Sequence, residues 1–227
     1  MTKLKNLYGL ILAGGYSRRM GRDKALLNFH GKPQIEHVYD LLQKYCTKIF
    51  LSKRTEQSYV IPVPPWRDNR ESRISGSPTK TFGDDILIIN DTPEFSNIGP
   101  LGGILSAMKA YPEVSWLVMA CDLPFVTDET LATLVKNRDK SKTATAFKSR
   151  ERSRSFPTDG WPEPLCAIWE GGSYSKIKEF LKKDIHCPRK VLMNSDTHLF
   201  EQTNPQWLDN VNNPDEFKQW KNFYTTS

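Results

Sequence analysis

Cysteine and histidine are scarce in this 227-residue chain, and neither is spaced for metal or redox chemistry. The four cysteines, Cys46, Cys121, Cys166 and Cys187, form no Cys-x-x-Cys pair, and no histidine stands at zinc-ligand spacing. Zinc modules and disulfide frameworks are thereby excluded, and the thiols read as reduced core or site residues. No Ser-His or Cys-His pairing suggests an activated nucleophile. Long apolar runs are missing too. The first, Leu7 to Ala13, meets Gly14 and Gly15 too soon to span a bilayer, and no signal-peptidase site follows, so the expected compartment is the cytoplasm, with no membrane partner. There is no internal repeat and no sustained block of one charge sign. The net charge of +6 is spread along the chain, which favours phosphates of small molecules. A nucleic-acid surface needs clustered cations interleaved with exposed aromatics, whereas most aromatics here lie in apolar runs, so no nucleic-acid partner is expected.

What is present is an alternation of strand and helix signals. Leu7 to Ala13 has no helical period and ends in a glycine turn, as a buried parallel strand would. Ile35, Val38, Leu41, Leu42 and Tyr45 follow the spacing of an amphipathic helix, and Lys48 to Lys53 alternates with Ile49 and Leu51 inward. Ile86 to Asn90 is a strand, Ile104 to Tyr111 a helix begun at Gly102 or Gly103, and Ser115 to Cys121 a strand stopped by Asp122 and Pro124. Thr127 is an N-cap with Asp128 and Glu129 behind it, where the helix dipole favours acids. Thr143 to Phe147 and Leu165 to Trp169 read as strands, Ser173 to Lys183 as a helix, and Pro214 opens a last one. The pattern predicts one domain over residues 1–227 with a doubly wound, mostly parallel α/β sheet and helices on both faces. Residues 62–85 and 148–164 break it, being rich in Pro, Gly and basic residues with few periodic apolar positions, and read as long loops.

The segment Leu12-Ala13-Gly14-Gly15-Tyr16-Ser17-Arg18-Arg19-Met20-Gly21-Arg22-Asp23-Lys24 follows the first strand directly. Adjacent glycines let backbone N–H groups approach phosphate oxygens. Arg18, Arg19, Arg22 and Lys24 put cations where a triphosphate would lie, with Ser17 as a further donor. No Gly-Lys-Ser/Thr ends the segment and it lacks the Gly-x-Gly-x-x-Gly spacing, so it is neither a P-loop nor a dinucleotide fingerprint. Asp91 and Asp122 each end an apolar strand, at the edge where open α/β sheets bind ligands, and two carboxylates there can meet a nucleotide and its metal. Asp122 is the better Mg²⁺ ligand. Gly99-Pro100-Leu101-Gly102-Gly103 precedes a helix and offers close backbone approach to a base or ribose. The four histidines are scattered and receive no catalytic role.

The run LAGGYSRRMGRDKALLNFHGKP resembles the signature of the molybdenum cofactor guanylyltransferase family, with each fixed position matched. The likeness continues through Asn90-Asp91-Thr92, Gly99 to Gly103, Cys121-Asp122-Leu123-Pro124, Glu163-Pro164-Leu165 and Asn210-Val211-Asn212-Asn213-Pro214, in the family's order. It implies a Rossmann-like nucleotidyltransferase fold and transfer of GMP from GTP to molybdopterin, with Mg²⁺ as cofactor and pyrophosphate released. It also implies nucleotide contacts from Leu12, Ala13, Gly14, Gly15, Ser17, Arg19, Lys24, Asp91 and Gly102. Catalytic roles fall to Lys24, Arg19 and Asp122, the metal to Asp122, nucleoside contact to Asp91, and the acceptor side to Asn210 and Asn212. Asn213 is explained as an N-cap before Pro214. Transient contact with proteins of molybdenum cofactor biosynthesis, or with acceptor proteins, follows from the same resemblance. Related cytidylyltransferases and sugar- or polyol-phosphate nucleotidyltransferases are the nearest rivals, a nucleic-acid-binding or non-catalytic regulatory domain a more distant one.

Overall fold

Leu7–Leu12 forms the first strand, β1, because its apolar residues have a core on either side to enter. Leu7 and Ile11 join one hydrophobic cluster while Leu10 and Leu12 join another, so the strand is buried on both faces, as a central parallel strand must be. The computed structural model describes residues 3–13, 24–53, 81–82, 86–149, 160–211, 213, 215–218 and 220. Within them the further strands are β2 (Ile49–Lys53), β3 (Thr81–Phe82), β4 (Ile86–Asn90), β5 (Ser115–Ala120), β6 (Ala144–Lys148), β7 (Pro162–Trp169) and β8 (Thr197–Phe200). The helices are α1 (Gln34–Leu42), α2 (Pro100–Ala110), α3 (Asp128–Lys136), α4 (Tyr174–Leu181) and α5 (Pro188–Met193).

The strands make one sheet in the order β3-β4-β2-β1-β5-β7-β6-β8. β1 pairs in parallel with β2 and β5, β2 with β4, and β6 with β8, while β3 and β7 run against their neighbours. α1 and α3 cover one face through Ile35, Val38, Leu131 and Leu134, and α2, α4 and α5 cover the other through Ile104, Met108, Ile177 and Val191. This is the doubly wound, mostly parallel α/β sheet that the alternation predicts. From β1 the chain passes by α1 to β2 and on to β4 on one side, then returns by α2 to β5 on the other. β1 and β5 therefore flank the topological switch point, outside whose carboxyl ends such sheets bind ligands.

The amino edge of β5 is closed by a buried ion pair. Arg138, just past α3, grips Glu170 with two hydrogen bonds of 2.7 Å each, and the Ser115 hydroxyl donates to the same carboxylate at 2.6 Å. Thr127 caps α3 as expected, in a reciprocal arrangement with Thr130.

Several expectations need correction. α2 begins at Pro100, not at Gly102 or Gly103, because proline suits a first helical turn and Gly99 takes the left-handed φ of 67° that the entry requires. The region 62–85 contains a strand, Thr81–Phe82, paired antiparallel with β4. The region 148–164 is not loop at its ends, since Lys148 closes β6 and Pro162–Pro164 open β7. These strand segments are held by neighbours rather than by an apolar pattern of their own. Phe50 is as buried as Ile49 and Leu51, because β2 lies between β4 and β1 with apolar side chains packed on both faces.

Candidate active site

The carboxyl ends of β1 and β5 lie side by side. Leu12 is in register with Ala120, and the Cys121 N–H donates to the Leu12 carbonyl at 3.3 Å. Ala13, one residue beyond β1, and Asp122, two beyond β5, thus stand at the switch point, with Asp122 half-buried. Gly14, Gly15, Ser17 and Arg19 lie outside the described residues. Lys24 opens a single 3-10 turn, Lys24–Leu26, and Ala25 behind it is buried in the same cluster as Leu123 and Val126.

The residues expected to contact the nucleotide meet on the other side of β1. Leu12 is in register with Ser52 of β2, and the Ser52 hydroxyl donates to the Asp91 carboxylate at 3.4 Å. The first turn of α2 lies against both strands and the Asp91 segment, and its glycines are the reason it can. A Cβ on Gly103 would come within 2.2 Å of Ser52 Oγ, and one on Gly102 within 2.3 Å of the Phe95 carbonyl and 3.5 Å of Asp91 Oδ2. The Thr92 N–H donates to Ser106 Oγ at 2.9 Å, which ties the strand end to the second turn of the helix. Leu12, Asp91 and Gly102 are therefore brought together as expected. Ser52 escaped sequence reasoning, since a serine near the end of a strand carries no signal until its neighbours are known.

The segment expected on the acceptor side reaches Asp122 itself: the Val211 N–H donates to the Asp122 carbonyl at 3.0 Å. Asn210 is exposed beside this contact, and Asn212 lies outside the described residues. Asn213 accepts from the N–H groups of Asp215 and Glu216 at 3.1 and 2.9 Å, the capping role predicted for it. A small hydrophobic core of Phe29, Val211 and Trp220, with Leu27, Phe125 and Phe217 against it, joins Leu27 and Phe29 to the chain after Asp122 and to Val211.

His30 and His37 stack at 3.8 Å beneath this region, and each ring donates from Nε2 to a carbonyl of the segment after β5, His30 to Pro124 at 2.9 Å and His37 to Val126 at 3.4 Å. Burial, then the neighbouring His30, hold the His37 pKa down to about 4. The histidines brace the segment that presents Asp122. Glu163 is buried on β7, where Arg189 of α5 pairs with it at 3.2 Å. Among the described residues no group of three or more His, Cys, Asp or Glu side chains forms a self-contained metal cage.

A switch-point crevice with a carboxylate after β5, a second after β4 and a glycine-bearing helix over the edge defines a nucleotide-handling α/β enzyme. The profile of the MobA-like NTP transferase domain matches residues 9–198, and the chain belongs to that family of nucleotidyltransferases. A molybdenum cofactor biosynthesis bifunctional protein from Synechocystis sp. (strain ATCC 27184 / PCC 6803 / Kazusa) is 33% identical over 94% of this chain. The match takes in 53% of that protein, so the chain spans about half the length of this relative. A Bacillus cereus (strain ATCC 10987 / NRS 248) protein named "Probable molybdenum cofactor guanylyltransferase" is 27% identical over 93% of this chain and 94% of its own length. The crystal structure of molybdopterin-guanine dinucleotide biosynthesis protein A from Archaeoglobus fulgidus shares the fold, with a TM-score of 0.66 at 21% identity over 97% of this chain and all of that one.

Proposed function

We propose that the chain transfers GMP from GTP to a terminal phosphate of molybdopterin and releases pyrophosphate. The observation that carries this reading is the 3.0 Å bond from the Val211 N–H to the backbone carbonyl of Asp122, which fastens the chain at Asn210 and Val211 to the residue that carries the carboxylate at this edge of the sheet. Nucleotide and acceptor would then face each other across Asp122. The relatives' names support the choice of base and acceptor.

An acceptor phosphate is ionised at neutral pH and attacks the α-phosphorus without a general base. The protein's task is to hold two polyanions in line and offset their repulsion. Lys24 and Arg19 supply positive charge along the triphosphate, with Gly14, Gly15 and Ser17, which follow Leu12 and Ala13 in the sequence, as further donors. Asp91, oriented by Ser52, contacts the nucleoside part, and Gly102 lets α2 approach it. Asn210 and Asn212 hold the acceptor. The donor set fits Mg²⁺, which takes one or two carboxylates and completes its shell with phosphate oxygens and water, and Asp122 would hold it. When bound, the ion supplies charge neutralisation on the phosphate oxygens. We read the whole chain as one such domain. Free thiols at Cys46, Cys121, Cys166 and Cys187 support the cytoplasm as its compartment, and among the described residues no helix is long and apolar enough to cross a membrane. Transient contact with proteins of molybdenum cofactor biosynthesis, or with acceptor proteins, belongs to the same reading.

The test is pyrophosphate release by the full chain with Mg²⁺, each NTP in turn, and molybdopterin or other phosphorylated acceptors. Release confined to GTP with molybdopterin is the expected result. Release with CTP, or with a sugar phosphate, would transfer the chain to a neighbouring activity.

A further inference from the structure

Past Asp122 the carboxyl edge continues across β7, β6 and β8, and there polar groups are buried without partners in the protein. Ser149, one residue beyond β6, is 3% exposed, and Gln202, just beyond β8, is 2% exposed. Neither the Ser149 hydroxyl nor either amide atom of Gln202 makes a hydrogen bond to the protein. Natural interiors rarely leave such groups unsatisfied. The two residues follow one another across the strands. Phe147 and Phe200 are in register, Lys148 pairs with Glu201 at 3.0 Å, and Ser149 and Gln202 come next. On the opposite side of β6 the Ser149 N–H donates to the Trp161 carbonyl at 2.6 Å. Trp161 is 40% exposed, whereas Trp116, Trp169, Trp207 and Trp220 are buried.

An exposed indole is a stacking surface for a flat ring, and a glutamine amide presents a donor and an acceptor side by side, with a serine hydroxyl able to act as either. We propose that Trp161, Ser149 and Gln202 form a subsite for a bicyclic heteroaromatic ring with a 2-amino-4-oxopyrimidine edge, the ring stacked on Trp161 and that edge turned to Gln202 and Ser149. The edge is common to pterin and guanine. The subsite belongs to the pterin of the acceptor, because Ser52, Asp91 and Gly102 lie beyond β1 on the far side of Asp122, while this row lies on the β7-β6-β8 side. The inference rests on the reading of the chain as a molybdopterin guanylyltransferase. Both buried groups are shielded from solvent, so their cover must give way when the ring seats, and the partners gained offset that movement.

Calorimetric titration of the full chain with free pterin, and separately with GTP, tests the subsite in wild type, Trp161→Ala and Gln202→Leu. Pterin affinity is expected to fall tenfold or more in both variants with GTP affinity unchanged, and the KM for molybdopterin to rise while that for GTP stays. Trp161 is exposed, so its variant keeps the test valid even where Gln202→Leu fails to fold. Unchanged pterin affinity in the folded variants overturns the proposal, as does absence of pterin binding in the wild type. A fall in GTP affinity alone would assign the edge to guanine and overturn it equally. If the wild type binds pterin and the variants do not, yet no pyrophosphate is released from GTP and molybdopterin, the subsite stands and the proposed reaction falls.

Discussion

Asparagine at position 122 would keep the shape of the aspartate and its capacity to accept backbone hydrogen bonds while removing the charge that a hard cation prefers. If Asp122 holds Mg²⁺, Asp122→Asn should lose turnover by roughly a hundredfold or more across a Mg²⁺ titration while its circular dichroism matches wild type. Near-wild-type turnover at ordinary Mg²⁺ would reduce Asp122 to a turn residue. Lys24→Ala should weaken GTP binding by roughly tenfold or more, since hydrogen bonds to charged groups carry about 1.5–3 kcal/mol, with no change in Tm. Unchanged GTP affinity would remove Lys24 from the triphosphate. His37 makes a separate prediction in pH. In the unfolded chain its pKa is near 6.5 and in the fold about 4, so between these values the unfolded state binds the proton first. Its contribution to stability is complete above about 6.5 and is lost as pH falls towards 4. Wild-type Tm should therefore drop more steeply over that window than the Tm of His37→Gln, and parallel curves would contradict the burial of the ring.

At the scale of elements, α2 approaches β1, β2 and the Asp91 segment as closely as it does because Gly102 and Gly103 have no Cβ. Gly102→Ala should gain up to about 1 kcal/mol of helix propensity, but its methyl meets the Phe95 carbonyl, a backbone atom that cannot rotate aside. Overpacking of this kind costs about 1–3 kcal/mol, so the net effect should be a lower Tm together with a raised KM for GTP as the Asp91 turn is displaced. Thermal denaturation and initial rates on the same preparation check both, and a Tm at or above wild type would show the contact to be loose. Elements with a strong internal pattern were legible in the sequence. The apolar run of β1, the helical stripe of α1 and the capped start of α3 follow from local chemistry alone. β8 was not legible, because Thr197–Phe200 is a short, half-exposed edge strand defined by its pairing with β6. α5 begins at Pro188 and is too brief to show a period. The reversed direction of β7 depends on the strands either side of it, which no window of sequence contains.

Over the whole molecule, the motif blocks are scattered along the chain, and the topology gathers Leu12, Asp91, Gly102, Asp122 and Asn210 to one edge of one sheet. The place of Asp91 and Asp122 after a strand was readable from the sequence, whereas Asn210 stood out only through the family resemblance. Their mutual placement needed the order β4-β2-β1-β5, which sets the switch point between β1 and β5. Ser52, the histidine brace and the Trp161 row were not readable, since each is defined by partners distant in sequence. The amino edge supplies a check on the scaffold that leaves this site alone. Arg138→Leu would strand Glu170, whose side chain is 8% exposed, and should cost about 3–5 kcal/mol in denaturant unfolding while GTP affinity at low temperature is retained. A cost under about 1 kcal/mol would mean that the pair is not buried in solution.

The central claim is that this edge transfers a nucleotidyl group and not a phosphoryl group, and it is tested most directly by following two labels. The full chain is incubated with Mg²⁺, molybdopterin and GTP carrying its label either on the α- or on the γ-phosphate. The account predicts that the α-label passes to the molybdopterin product and the γ-label leaves in pyrophosphate. A γ-label on the acceptor, or an α-label that stays in free guanine nucleotide, would contradict it.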